Sequence, residues 1–314
     1  MRTIEHLVRK TIVPWSVVLA FVAFIPACGP SESNAQSPKV GTTRPALPGV
    51  LVDSDWLKTH LIDCGIVVID ARSREEYDES HIAGAVHVSP RFLVDPSIEN
   101  SLDIAPISHV QRVFGEAGID LATPVIVYDG SNYRDAARVF WVLEVHGHRS
   151  VAVLNGGYAD WKRDHRPIST TQTNVTPKRF IANMQPDRLA TKLSVRKAIA
   201  EPGTVILDAR SPNEYIGEES SASRRGHIAT AVNVDFDRNL VVDSDGVCSL
   251  RYSDELLDLY RSELGDREQI ITYCNSGNRA SVSYLALRIL GYDVSVYDGS
   301  WLEWGNDPSL PIEP

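Results

Sequence analysis

Two stretches of the chain are copies of each other: IVVIDARSREEY at residues 66–77 and TVILDARSPNEY at residues 204–215. Each stretch begins with a short apolar run, which is followed by the tetrapeptide Asp-Ala-Arg-Ser. A strand without alternating polar positions is buried on both faces, which is typical of parallel sheets covered by helices. The pair of stretches therefore predicts an α/β fold that is present twice.

The duplication extends well beyond these strands. The copies are offset by 138 residues at Asp70 and Asp208 and by 143 residues at Trp161 and Trp304, a period too long for a solenoid. We expect two three-layer α/β domains, each a parallel sheet covered by helices. The polar, proline-bearing stretch 169–188 marks the boundary. This predicts a first domain over residues 46–172, a linker over 173–188 and a second domain over 189–314.

The N-terminus has the pattern of an export signal. Basic residues precede the apolar run 11–27, and the sequence IPAC at 25–28 resembles a bacterial lipobox, in which the cysteine is lipidated. We predict a lipoprotein-type signal peptide over residues 1–27, a lipid on Cys28 and a flexible tether over residues 28–45. This predicts an exported lipoprotein anchored in the cell envelope. Ordinary cleavage after 33–35, giving a periplasmic or secreted protein, and an uncleaved anchor are the alternatives.

Charge and cysteine content exclude several classes of function. Loss of residues 1–27 removes three basic residues and one acidic residue, which moves the net charge from −10 to −12. No basic stretch suggests a nucleic-acid partner. Besides Cys28, the cysteines are Cys64, Cys248 and Cys274, without a Cys-x-x-Cys pair, so a zinc site and a disulfide framework are poorly supported. We expect Cys64 and Cys248 to be small packed side chains, and we expect no metal or organic cofactor.

Cys274 lies in a different setting, in ITYCNSGNRAS at residues 271–281, where a strand stops and a helix starts. A thiol facing a helix N-terminus is favoured as an anion by unpaired amides and the helix dipole. The loop amides could converge on it as an anion nest, formed by Asn275, Ser276, Gly277, Asn278 and Arg279. The first copy has Asp129 at the position of Cys274, in a loop about two residues longer. The alternative is that Gly277 only closes the turn and Cys274 only packs.

Residues 46–314 resemble the tandem-domain rhodaneses, the family of thiosulfate and 3-mercaptopyruvate sulfurtransferases. The likeness rests on the two Asp-Ala-Arg-Ser turns and on HIAGA at 81–85, LNGG at 154–157, GHI at 226–228, YDGSW at 297–301 and the Cys-x-x-Gly-x-Arg loop. The resemblance implies a double displacement. Cys274 takes the outer sulfur of thiosulfate, releases sulfite and passes the sulfur from a persulfide to cyanide or a thiol.

The resemblance also implies positive groups that hold an anionic donor. Arg279, Arg225 and Arg224 are the candidates, and Trp301 is expected to line the pocket. For Arg224 and Arg225 the alternative is a solvated pair, and for Trp301 it is packing in the core. The first domain, which lacks the cysteine, is expected to complete the cleft between the domains.

Other marked residues are expected to support the site. Asp208 and Arg210 should pin the turn beneath it, with Arg210 close enough in sequence to pair with Glu214. His81 and His227 are expected to be buried structural side chains.

Three other functions stay open. A mercaptopyruvate donor is favoured by Ser276, since enzymes for that donor carry serine there. A phosphatase is disfavoured, because only four residues separate Cys274 from Arg279 and related phosphatases have five. A non-catalytic rhodanese-type protein that binds or scaffolds partners is the alternative from another class.

Overall fold

The computed structural model describes residues 46–314 except 62–64, 98–101, 131, 202 and 268. The predicted signal peptide, the tether, Cys28 and Cys64 lie outside the described residues. All of the described residues belong to one compact unit. None of the helices in these ranges combines the length and the apolar character needed to cross a membrane.

The first half of the chain builds a five-stranded parallel sheet in the order β1-β6-β5-β2-β4. Its elements are β1 (Leu51–Val52), α1 (Ser54–His60), β2 (Val67–Asp70), α2 (Arg74–Glu79), β3 (His81–Ile82), β4 (Val86–His87), α3 (Ile107–Glu116), β5 (Val125–Tyr128), α4 (Arg134–Val145), β6 (Val151–Leu154), α5 (Gly157–Arg163) and β7 (Ile168–Ser169).

The second half repeats this plan in a sheet ordered β11-β9-β14-β15-β8, which matches the first sheet strand by strand when read from the opposite edge. Its elements are β8 (Leu189–Ala190), α6 (Lys192–Ala200), β9 (Thr204–Asp208), α7 (Pro212–Tyr215), β10 (His227–Ile228), β11 (Val232–Asn233), β12 (Leu240–Val242), β13 (Cys248–Leu250), α8 (Ser253–Leu264), β14 (Gln269–Tyr273), α9 (Asn278–Ile289), β15 (Asp293–Tyr297), α10 (Ser300–Trp304) and β16 (Ile312–Glu313). The predicted duplicated α/β fold is confirmed.

Each sheet is covered on both faces, as its continuously apolar strands predict. One face of the first sheet packs on α1 and α5, and one face of the second packs on α6 and α10. The opposite faces pack on α3 and α4 in the first domain and on α8 and α9 in the second, and these cores merge into one cluster. Helices α4 and α9 pack on each other, which explains why α4 is apolar on nearly all sides.

The Asp-Ala-Arg-Ser turns fasten both domains in the same way. Asp70 accepts hydrogen bonds from the Arg72 guanidinium and, at 2.6 Å, from the Tyr128 hydroxyl. Asp208, Arg210 and Tyr273 repeat the arrangement in the second domain. These groups are buried, so each carboxylate is compensated by a guanidinium and hydroxyl at the carboxyl ends of neighbouring strands. The turns thereby hold β9 and β14 in register beneath the loop that carries Cys274.

The segment 170–185, between β7 and the short helical turn before β8, has no strand or α-helix. It is nevertheless fastened to the first domain. The amide of Lys178 donates to Gly115, that of Asn183 donates to His146, and Phe180 is buried in the shared core. The polar composition of this segment therefore marks a connection that lies along the first domain.

Hydrogen bonds from backbone amides to side chains also join the two domains. Asp298 of the second domain accepts the amide of Ile104 from the first at 2.7 Å. Asn155, the counterpart of Asp298, accepts the amide of Leu250 from the second domain at 3.2 Å. Each domain thus donates a backbone amide to the side chain that follows the corresponding strand of the other domain, β6 in the first and β15 in the second.

Candidate active site

Cys274 follows the last residue of β14 at the carboxyl edge of the second sheet. Its amide donates to the Ser300 hydroxyl, and its carbonyl accepts the amide of Trp301 at 2.9 Å. The residue is 1% exposed, and it lies at the wall of a cavity of about 450 Å³. The thiol is therefore shielded from bulk solvent while bordering a space that can admit a small molecule.

The amides after Cys274 form the strongest feature of the site. Gly277 takes a φ of +83°, and α9 begins directly after it at Asn278. In the part of the chain that the structure describes, the amides of residues 275–280 have no hydrogen-bond acceptor. Free amides at the N-terminus of a 12-residue helix, together with its dipole, favour an anion beside them.

The first domain shows what this loop geometry binds. The carboxylate of Asp129, the counterpart of Cys274, accepts the amides of Tyr133 at 3.3 Å and Ala136 at 3.2 Å. Burial raises the pKa of Asp129 to about 6, against the opposing effect of those amides. Helix α4 begins five residues after Asp129, while α9 begins four residues after Cys274, so the first loop is longer by one residue and not by two. In the first domain the amide nest already holds a fixed anion.

The guanidinium of Arg279 forms an ion pair with the carboxylate of Glu214. Its two terminal nitrogens donate to the two Glu214 oxygens at 2.7 and 2.9 Å, and Asn275 donates to the same carboxylate at 2.8 Å. Burial opposes the charge of each partner, but the ion pair and the Ser211 amide hold the pKa of Glu214 at about 2. Burial likewise opposes the charge of Arg279, yet Glu214 and Cys274 raise its pKa above the usual range.

This pairing corrects one prediction. Arg210 does not pair with Glu214, because its guanidinium is bound to Asp208 and stacks 4.5 Å from the ring of Trp301. Glu214 is instead presented to Arg279 by the capping box that it forms with Ser211 at the start of α7.

Both domains line the cavity, as the sequence predicted for the cleft. The second domain contributes Cys274, Asn275, Ser276, Asn278 and Arg279, and the first contributes Asn132, Arg134 and Asp135. Gly277 is buried in the same loop. The three residues of the first domain were missed. Their signal was available, since they follow Asp129 in the copy of the cysteine loop.

Arg224 and Arg225 do not line this cavity. Arg224 donates to backbone carbonyls at the end of α10, among them Trp304 at 2.6 Å and Leu310 at 2.8 Å. Arg225 is exposed and donates to the carbonyls of Gly217 and Glu218. Arg224 is therefore a structural clamp rather than the predicted substrate ligand. Arg225 is turned toward its own loop.

Trp301 also differs from the expectation of a pocket wall. It is fully buried, it does not line the cavity, and its indole donates to the Ser220 hydroxyl at 3.1 Å. Its backbone amide supports the Cys274 carbonyl, so it acts behind the loop. This is the core packing that the sequence left open.

The remaining marked residues are structural. His81 and His227 are buried, and each places Nδ1 against a backbone carbonyl, of Tyr77 and Tyr215 respectively. Cys248 is buried, and burial raises the pKa of its thiol to about 11, as expected for a packed side chain. Among the described residues, no group of three or more His, Cys, Asp or Glu side chains is placed to hold a metal ion.

Comparison with known proteins agrees with this geometry. The Rhodanese-like domain family matches the chain twice, at residues 53–164 and 191–307. A thiosulfate sulfurtransferase of Azotobacter vinelandii is 31% identical over 271 residues, covering 85% of this chain and 98% of the relative. The sulfur carrier protein TtuD of Thermus thermophilus is 32% identical over 288 residues, covering 85% and 97%.

Solved structures show the same architecture. The 3-mercaptopyruvate sulfotransferase SseA from Escherichia coli superposes with a TM-score of 0.71 at 30% identity, covering 81% of this chain and 99% of that one. An anaerobic ergothioneine biosynthesis enzyme from Chlorobium limicola shares the fold, with a TM-score of 0.74 at 24% identity over 84% of this chain and 70% of its own. With two matched domains and relatives similar over nearly their whole length, the chain belongs to the rhodanese family of sulfurtransferases.

Proposed function

We propose that the protein transfers a sulfane sulfur from thiosulfate, through a persulfide on Cys274, to cyanide or a thiol. The Cys274 thiolate attacks the outer sulfur of thiosulfate. The bond between the two thiosulfate sulfurs breaks, and sulfite leaves with its electron pair. Cyanide then attacks the outer sulfur of the persulfide, forming thiocyanate and returning the thiolate. Each step conserves charge and requires no redox partner.

The observation that carries the proposal is the set of unpaired amides at residues 275–280 beside Cys274. A persulfide at neutral pH is an anion, and its outer sulfur extends beyond the position of the thiol. Preorganised amides at a helix N-terminus stabilise such an anion without any rearrangement of the loop. Asp129 in the first domain, bound by the corresponding amides, supports this assignment.

The donor is proposed as thiosulfate because the relatives above 30% identity include a thiosulfate sulfurtransferase, and Arg279 and Arg134 border the cavity. 3-Mercaptopyruvate is the second candidate. The likeness to SseA and the Ser276 hydroxyl at the cavity wall favour it. The two donors share an anionic group next to a transferable sulfur.

Intact-mass measurement tests the assignment. Purified protein is incubated with thiosulfate or with 3-mercaptopyruvate, desalted and weighed. We expect the wild type to gain the mass of one sulfur atom and to return to its starting mass after cyanide is added. Cys274→Ser should show no gain. Cys248→Ser is the matched control, because that buried thiol should not carry sulfur. No gain with either donor would contradict the enzyme assignment and favour a non-catalytic rhodanese-type protein that binds partners.

We also propose that the chain is exported and anchored through a lipid on Cys28, with a periplasmic or secreted form as the alternative. The proposal rests on the sequence of residues 1–28. Growth with a labelled fatty acid tests it. Label should appear on the wild type and be absent from Cys28→Ala, and the wild type should partition with membranes. A wild-type protein without label in the soluble fraction would contradict the anchor.

A further inference from the structure

Arg134 stands out among the side chains that surround the Cys274 cavity. It is the first residue of α4, it belongs to the first domain, and it is exposed. Its guanidinium carbon lies 6.0 Å from the ring centre of Phe236 in the second domain. The side chain therefore extends across the domain boundary, over the half of the molecule that carries the cysteine.

Of the two arginines that line the cavity, Arg134 is the one whose guanidinium is not bound to a carboxylate. The guanidinium of Arg279 is occupied by both oxygens of Glu214. Among the residues that the structure describes, no side chain is hydrogen-bonded to the guanidinium of Arg134. A free guanidinium presents a planar fork of N–H groups that matches two oxygens of a sulfonate or carboxylate.

Asp135 is the carboxylate that lines the same cavity. Burial raises its pKa, while the neighbouring Arg134 charge opposes that shift. The charge of Glu76 also raises the pKa of Asp135, and the charge of Arg91 lowers it. The Asp135 carboxylate therefore repels an anionic donor that enters the cavity.

We infer that Arg134 of the first domain binds the anionic end of the sulfur donor while Cys274 of the second domain attacks its sulfur. The inference rests on the proposed sulfur transfer and adds to it the residue that recognises the donor. It gives the domain without a cysteine a direct contact with substrate. Asp135 acts in the opposite direction, weakening the binding of a doubly charged donor relative to a singly charged one.

Steady-state kinetics with thiosulfate and cyanide test the inference. A charge-assisted hydrogen bond of this kind contributes about tenfold in affinity, so Arg134→Ala should raise KM for thiosulfate by about tenfold with little change in kcat. Arg134→Lys should recover part of the loss, and Asp135→Asn should lower KM. Arg112→Ala removes the same charge from an exposed site on α3, outside the cavity, and should leave KM unchanged.

A binding measurement separates recognition from chemistry. Calorimetry on Cys274→Ser, which cannot react, should detect thiosulfate binding that weakens by about tenfold when Arg134→Ala is added. If the wild type turns over thiosulfate but Arg134→Ala keeps KM and affinity within twofold, the inference is wrong while the proposed function stands. If only 3-mercaptopyruvate reacts, the same comparison is made with it. If neither donor loads Cys274, both fail.

Discussion

Arg138 of the first domain and Asp298 of the second form a buried ion pair, with Nη1 and Oδ1 2.5 Å apart, directly against Gly277 of the cysteine loop. A second Arg138 nitrogen donates to the carbonyl of Leu102, and the other Asp298 oxygen accepts the amide of Ile104. The pair therefore joins the domain interface to the backbone that presents Cys274. We expect Arg138→Ala to destabilise the protein by about 3–5 kcal/mol, because a buried carboxylate loses its partner.

Urea unfolding measures this effect. Arg74→Ala is the control, since Arg74 pairs with Asp78 on the exposed surface, where solvent screens the pair and its loss should change the free energy of unfolding far less. Arg138→Ala should also slow the loading of Cys274 with sulfur. Equal stabilities for the two variants would show that the interface pair contributes no more than a surface pair.

Gly277→Ala should nearly abolish sulfur loading. A β-carbon there would lie 2.5 Å from Arg138 Nη1 and 2.6 Å from Asp298 Oδ1, in addition to the strain of a side chain at a φ of +83°. Gly84→Ala is matched, because Gly84 has the same φ and no atom within 4 Å of the added carbon. Both variants carry the backbone strain, and only Gly277→Ala adds the steric clash. Comparing their thermal unfolding and their sulfur loading by mass therefore isolates the effect of the clash. Normal loading by Gly277→Ala would contradict the tight fit of the loop.

The pair of Glu214 and Arg279 should give a contribution to stability that is lost in acid. The pKa of Glu214 is lowered from 4.5 to about 2, so its contribution is complete above pH 4.5 and disappears as the pH falls toward 2. The difference in unfolding free energy between the wild type and Glu214→Gln should therefore be constant from pH 7 to 5 and shrink below 4.5. Urea titrations between pH 7 and 3 measure it, and a difference independent of pH would contradict the pairing.

Asp129 should produce a pH dependence of the opposite sign. Its pKa is raised from 3.8 to about 6 by burial, so the folded protein holds a proton that the unfolded chain releases. Stability relative to Asp129→Asn should fall by about 3 kcal/mol as the pH rises from 3.8 to 6, and then stay level. The same urea titrations on this variant provide the measurement. A flat difference would indicate that the carboxyl group is not buried as described.

The sequence predicted the duplicated fold and the position of Cys274 because both depend on local patterns. Continuous apolar runs indicate covered strands, and a glycine after a strand-end cysteine indicates a turn into a helix. The destinations of the arginines were not predictable in this way. Arg224 and Arg279 are equally charged, yet Arg224 is bound by backbone carbonyls at the end of α10 and Arg279 by Glu214.

Those outcomes depend on which acceptors the fold brings within reach of a long side chain. Arg134 shows a related limit: its place after Asp129 in the copied loop can be read from the sequence, but its reach toward the half that carries Cys274 follows from the packing of the two domains. Trp301 shows it for an apolar residue: the spacing placed it near the loop, but only packing decides that it lies behind the loop and not in front.

The carboxylate in the first domain's amide nest has a consequence for stoichiometry. Asp129 is part of the chain, so the amides of Tyr133 and Ala136 are bound to a carboxylate without any added ligand. Under the proposed mechanism, the duplicated framework therefore carries sulfur on Cys274 of the second domain and not at the corresponding position of the first, so we expect one sulfur atom for each polypeptide.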